Sequence, residues 1–292
     1  MITCHLVGGL GNQLFQIFTT IAYSIQSKQP FGFLNSYRIE SITERHTYWN
    51  TFLLNLKMFT HDSLNEEFEI VGEKNYHYNK LPVDNNNENN DCDKKSKKLI
   101  GYFQSYRYFE CYFNNICSIL SLSYLKKQIT TEYSQYFSGE NVISMHFRLG
   151  DYKKLPDYHP ILPVEYYIQS LKKICELLKK EDVCNKKTYN VLYFCEKEDN
   201  EDVQLKIEIL KREFSTIEFL KADDSIEDWK QMMLMSCCKH NIIANSSFSW
   251  WGGHFNIDKE KIVCYPKVWF GPKLSEHILE DLFPPSWNKI DF

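Results

Sequence analysis

The 292-residue chain has no C-x-x-C pair, no uninterrupted apolar run of eighteen residues, no basic N-terminal region and no surplus of positive charge. Each absence removes a class of protein. Ten cysteines at irregular spacings, several inside apolar runs, suit reduced thiols in an intracellular protein better than a disulfide framework. Without a long apolar run a membrane-spanning anchor is not expected. The apolar start of the chain is broken by Gly8, Gly9, Gly11, Asn12 and Gln13, so it does not read as a secretory signal. These features predict a cytoplasmic location and leave peripheral membrane association open. A formal net charge of −4 gives no reason to expect nucleic acid as a partner. The length suffices for two domains.

What is present centres on Asn141 to Tyr152. Up to Phe147 this stretch reads as a buried strand, with Ser144, His146 and Arg148 on one face and Ile143, Met145 and Phe147 on the other. Gly150 and Asp151 then supply a turn, which presents an Arg and a His at the mouth of a strand. That is where α/β proteins bind ligands.

Earlier in the chain, Ile2 to Val7 predicts a strand, Gly8 to Gln13 a tight loop and Leu14 to Gln26 a helix. A Gly-rich turn of this kind can bring backbone N–H groups against a phosphate or sugar, though an ordinary strand-to-helix turn reads the same. It is neither a dinucleotide fingerprint, since Leu14 replaces the third Gly, nor a P-loop. Residues 84–98 are polar and of low complexity and predict a surface loop. The Asp91-Cys92-Asp93 triplet within them has the D-x-D form of metal-dependent glycosyltransferases, but in a solvated charge run it is read as accidental. Tyr108 to Leu125 predicts a helix.

From Val142 strands and helices alternate. Strands are expected at 142–148, 190–195, 216–220, 241–244 and 262–265, and helices at about 164–180, 200–214, 226–238 and 247–256, with Ser225 as an N-cap. The pattern predicts a parallel sheet covered on both sides. At Asn245-Ser246-Ser247 a short apolar strand ends and serines open the next helix, whose first N–H groups and positive dipole end form an anion site. The same triplet is formally a glycosylation sequon, discounted because a strand end beneath a helix is inaccessible. Two anion-facing strand ends, with a Gly-rich turn in the other half, suggest a diphosphate in a cleft.

Four blocks occur in order: Gly8-Gly9-Leu10-Gly11-Asn12-Gln13-Leu14-Phe15-Gln16, Gly101-Tyr102-Phe103-Gln104-Ser105, His146-Phe147-Arg148-Leu149-Gly150-Asp151-Tyr152, and Asn245-Ser246-Ser247-Phe248-Ser249-Trp250-Trp251-Gly252. From residue 2 to about 270 the chain resembles the α-1,2-fucosyltransferases of glycosyltransferase family 11. The resemblance implies an α/β fold of GT-B type, two Rossmann-like domains (1–140, on the acceptor side, and 141–292, binding the nucleotide sugar) whose parallel sheets face a cleft. It implies a metal-independent, inverting transfer of L-fucose from GDP-fucose to a glycan acceptor such as a galactose-terminated one, with no cofactor. Arg148 would clamp the diphosphate with His146 in support. Asn245, Ser246, Ser247 and Phe248 would line the GDP site, and Gly9, Gly11 and Asn12 would approach the sugar-phosphate.

The chain departs from the family where Leu149 replaces a usual second Arg and where Cys195-Glu196 lacks the usual Asp. Guanine recognition is expected of Glu196, or of Asp223 or Asp228. Asp151 is one expected catalytic base, with a turn-forming role as its alternative, and His5, His46 and Glu196 stay open. Protein O-fucosylation, another nucleotide-sugar donor, or an inactive binding protein are the competing functional readings.

Overall fold

The structure, a computed structural model, describes residues 1–39, 45–83, 95–137, 141–181 and 189–292. Asp91 and Asp93 lie outside the described residues. The chain divides into two compact units, Met1–Ser123 with His277–Pro284, and Tyr124–Glu276 with Pro285–Phe292. It therefore changes unit at three places, after Ser123, Glu276 and Pro284, where the sequence suggested one change at 140/141.

Unit 1 contains β1 (Ile2–Cys4), α1 (Leu10–Ser27), the short strands β2 (Phe33–Leu34), β3 (Arg38–Ile39), β4 (Arg45–His46) and β5 (Thr60–His61), then β6 (Phe68–Gly72), β7 (Ser96–Ile100) and α2 (Phe113–Ile119). Its main sheet is parallel, in the order β1-β7-β6. Helix α1 buries Leu14, Phe15, Ile17, Phe18 and Ile21 and also Gln13, Gln16 and Thr20, so it is covered nearly all round.

Three expectations for this unit are corrected. Gly11, Asn12 and Gln13 are not in a loop but in the first turn of α1, because the positive φ of Gly8 (80°) alone makes the bend. Ser96 to Lys98 are not loop either but open β7, the central strand. Lys97 is buried there, and its ammonium reaches the Pro82 carbonyl at 3.4 Å and lies 5.9 Å from the Tyr23 ring. The helix expected over 108–125 is broken: two 3₁₀ turns precede α2, and Ser121 at φ 53° separates α2 from α3 (Leu122–Glu132).

Unit 2 alternates as expected: β8 (Val142–His146), α4 (Val164–Glu181), β9 (Asn190–Phe194), α5 (Asn200–Glu213), β10 (Glu218–Lys221), α6 (Asp228–Cys237), β11 (His240–Ile242), α7 (Ser247–Phe255), β12 (Val263–Pro266) and, in addition, β13 (Asn288–Ile290). All neighbours pair in parallel, in the order β10-β9-β8-β11-β12-β13. Numbered by appearance the order is third, second, first, fourth, fifth, sixth, that of the doubly wound Rossmann sheet. On one face Ile143, Met145, Phe147 and Leu149 join a core with Tyr166 and Leu171 of α4 and Ile207 of α5. On the opposite face Asn241 of β11 donates to Ser144 Oγ and to the Met235 carbonyl of α6, both at 2.7 Å.

Ser225 is not an N-cap. Helix α6 starts only at Asp228, and the Ser225 N–H and hydroxyl both donate to Asp223 Oδ1, closing a local turn instead. Cys4, Cys195, Cys238 and Cys264 are buried thiols. No helix among the described residues is long and apolar enough to cross a membrane.

Candidate functional site

In a sheet of this order the first and fourth strands lie side by side while their connections leave in opposite directions. Ligands bind at the carboxyl ends of the strands at that switch point. Here those strands are β8 and β11, and their carboxyl ends lead into His146-Phe147-Arg148 and Asn245-Ser246-Ser247. Two blocks far apart in the chain are thus brought together by topology, as Met145 and Ile242 pair directly in the ladder.

Arg148 leaves the sheet on the His146 side and keeps 18 % of its side chain exposed. Its Nη2 donates to Asp151 Oδ1 at 2.5 Å, its Nη1 pairs with Glu196 at the end of β9, and its guanidinium lies 5.1 Å from the Tyr152 ring centre. Burial works against its charge, but Glu196, Tyr152 and Asp151 outweigh that and hold it firmly protonated. Glu196, expected to contact guanine, is an ion-pair partner of Arg148 in this structure.

His146 is buried, its Nδ1 has no hydrogen-bond partner, and its ring is 5.6 Å from that of Phe248. Burial, reinforced by the Arg148 charge, lowers its pKa to about 3. It is therefore neutral at physiological pH and can support an anion only through a hydrogen bond.

Ser246 caps α7, its hydroxyl accepting from Phe248 N at 3.3 Å. Ser247 and Phe248 form the first turn, where the helix presents its positive end. Asn245 is buried, and its amide donates to the carbonyls of Pro160 (2.9 Å) and Trp269 (3.2 Å). It cannot serve as a glycosylation acceptor in that position.

The framework includes residues to which the sequence assigned no binding or catalytic role. Gly150 has φ 36°, a left-handed backbone conformation that favours glycine. Its N–H donates to buried Asp199 at 2.7 Å, which Lys153 neutralises at 2.7 Å. Tyr152 donates to the Asn245 carbonyl at 3.0 Å and so links the two blocks, while its ring stacks on His159 at 4.5 Å. Tyr152 stood inside a quoted block. Asp199 and His159 lie in no motif and are found only from the fold.

In unit 1 the first two blocks meet at the carboxyl ends of β1 and β7. Gln16 accepts from Val7 N (3.0 Å) and donates to the Gly101 carbonyl (3.1 Å), and Gln104 Nε2 donates to Asn12 Oδ1 (2.8 Å). Gly9 is the N-cap of α1, Gly11 and Asn12 follow it, and a Cβ on Gly8 would meet Asn12 Nδ2 at 2.5 Å. Glu73, just after β6, accepts from Tyr102 N at 2.7 Å and holds the second block in place.

Asp228 is exposed at the start of α6, where its Oδ1 accepts from Trp229 N. Asp223 holds the turn before α6, and His5 and His46 are exposed in unit 1.

A doubly wound sheet with an arginine and a helix N-terminus at its switch point has the architecture of the α/β domains that bind ligands at that point. The chain belongs more narrowly to glycosyl transferase family 11, whose family model matches residues 1–291, and it is a glycosyltransferase. It is 28 % identical over 303 residues to the O-antigen biosynthesis glycosyltransferase WbnK of Escherichia coli, covering 92 % of this chain and 95 % of that one. It is 26 % identical over 311 residues to an alpha-1,2-colitosyltransferase of Escherichia coli, covering 100 % and 99 %. Among solved structures, the fucosyltransferase NodZ from Bradyrhizobium aligns over 86 % of this chain and 90 % of its own, at 11 % identity and a TM-score of 0.43.

Proposed function

We propose that the protein transfers L-fucose from GDP-fucose to a hydroxyl of a glycan acceptor, inverting the anomeric centre to form an α-1,2 linkage without a metal, on a GT-B type scaffold. The observation that carries this reading is Arg148 beside the N-terminus of α7 at the switch point of the unit 2 sheet. Breaking a glycosyl phosphate leaves negative charge on GDP while the sugar becomes oxocarbenium-like. A planar guanidinium can hold two phosphate oxygens, and the helix end adds preoriented donors. In the free protein Asp151 and Glu196 already give Arg148 a net surplus of negative partners, so a diphosphate enters by replacing one of them. Glu196, which comes from the end of β9 and not from the turn that carries Arg148, is the partner taken to give way. Neutral His146, Asn245, Ser246, Ser247 and Phe248 complete the donor side in unit 2.

The relative that bears the name alpha-1,2-colitosyltransferase favours a second donor, a colitose nucleotide with the same linkage. Parallel turnover of the two donors over an acceptor array decides between them. Arg148→Ala and Arg148→Lys are expected to lower kcat by about 10²–10³, because losing one preorganised donor to the leaving group costs that much. The proteins should melt where wild type does. Normal turnover by folded Arg148→Ala protein refutes the reading.

A further inference from the structure

A sugar hydroxyl that attacks an anomeric carbon must lose its proton, and the sequence offered Asp151 as acceptor. The structure commits that carboxylate to Arg148 at 2.5 Å, so its oxygen is already engaged by the guanidinium. Close by stands an imidazole that no motif marks. His159 is half-buried at the edge of the same cluster, stacked on Tyr152 with ring centres 4.5 Å apart and planes 18° apart, and flanked by Phe270 at 5.7 Å. Its backbone N–H donates to the Leu155 carbonyl at 2.9 Å, which pins the loop that carries it, and the next residue, Pro160, receives the Asn245 amide. The loop that carries the imidazole is therefore tied to the Asn245 strand end, while the ring itself rests on Tyr152. Its Nδ1 is buried without a partner, so Nε2 is the nitrogen a substrate can reach.

We propose that His159 is the general base of the transfer, accepting the proton of the acceptor hydroxyl on Nε2. This rests on the reading of unit 2 as the nucleotide-sugar site. In the step, the acceptor O–H gives its proton to Nε2 while its oxygen bonds to the anomeric carbon. The bond from that carbon to the phosphate oxygen breaks, and its electron pair leaves with GDP. The surroundings suit a base at neutral pH. Burial lowers the pKa of His159 below the ordinary 6.5, Asp151 opposes that shift and Arg148 adds to it, so the ring rests unprotonated. Tyr152, the titratable group in direct contact, has its phenol pushed up to about 12 by burial and stays neutral.

His159→Phe separates this role from simple stacking, because phenylalanine keeps the ring against Tyr152 and loses the nitrogen. The expected result is a fall in kcat of about 10²–10⁴, the usual share of a general base. GDP affinity by calorimetry should be unchanged. Wild-type kcat should decline as pH drops through the His159 pKa, below 6.5, and the variant should lack that limb. Should the phenylalanine variant fail to fold, His159→Gln makes the same comparison. A variant kcat within about threefold of wild type, or an unchanged acid limb, overturns the proposal. Failure of wild type to bind GDP overturns the proposed function and this inference together, whereas GDP binding with normal His159→Phe turnover overturns only the inference.

Discussion

At the scale of single residues, Arg148 holds two carboxylates, and they do different jobs. Asp151 is three residues away on its own turn and sets the guanidinium's direction. Glu196 comes from the neighbouring strand, is more exposed, and competes with an incoming phosphate. Neutralising it should help the ligand. Glu196→Gln is expected to tighten GDP binding about two- to fivefold by calorimetry, the modest value of a partly solvated ion pair. Weaker binding would show that Glu196 reads the guanine after all. The strand that leads to Arg148 was legible because a short apolar run precedes it and Gly150-Asp151 turn the chain just after it. The partners of Arg148 were not, since nothing in the sequence tells which acidic residue a neighbouring strand will bring alongside. Leu149 shows what the alternation rule captured. It faces away from Arg148 into the core with Phe147, so the usual second arginine would have to be accommodated among apolar side chains here.

At the scale of elements, α7 joins the site to the core. Its N-terminus carries Ser246 and Phe248, and Trp250 and Trp251 are fully buried along its length. At its far end Lys261 donates to the Gly253 carbonyl at 2.9 Å and Lys126 to the Phe255 carbonyl, capping the negative end. Gly252 lets α6 approach: a Cβ there would lie 2.8 Å from Met235 Cβ. Gly252→Ala should therefore force the two helices apart, costing about 1–3 kcal/mol in denaturant unfolding. It should also weaken GDP binding, because the helix end moves; unchanged stability would contradict this packing. Helices and strands of unit 2 were readable because parallel strands buried on both faces alternate with amphipathic helices. The first unit was harder. Lys97 lies inside a central strand, and Ser121 breaks a helix by adopting a left-handed conformation unusual for serine. Composition hides both.

At the scale of the whole molecule, buried histidines predict an acid limit. Burial lowers the pKa of His146 to about 3 and, helped by Lys239, that of His240 to about 4, against 6.5 in the unfolded chain. Below pH 6.5 the unfolded chain binds protons that the folded one refuses, so stability is full above that value and declines as pH falls toward 4. Each histidine contributes a slope of about 1.4 kcal/mol per pH unit. Denaturant unfolding at pH 7.5, 6, 5 and 4.5 should trace that fall, and constant stability over the range would contradict it. The three exchanges of the chain between units reach further. The segment His277–Pro284 supplies Asp281 to Arg107 at 2.7 Å in unit 1, and the chain then returns to add β13 to the other sheet. Anyone grafting the first unit of a relative onto this second unit must make three joints, because a single splice at residue 123 leaves Arg107's carboxylate behind and strands a foreign loop before the edge strand.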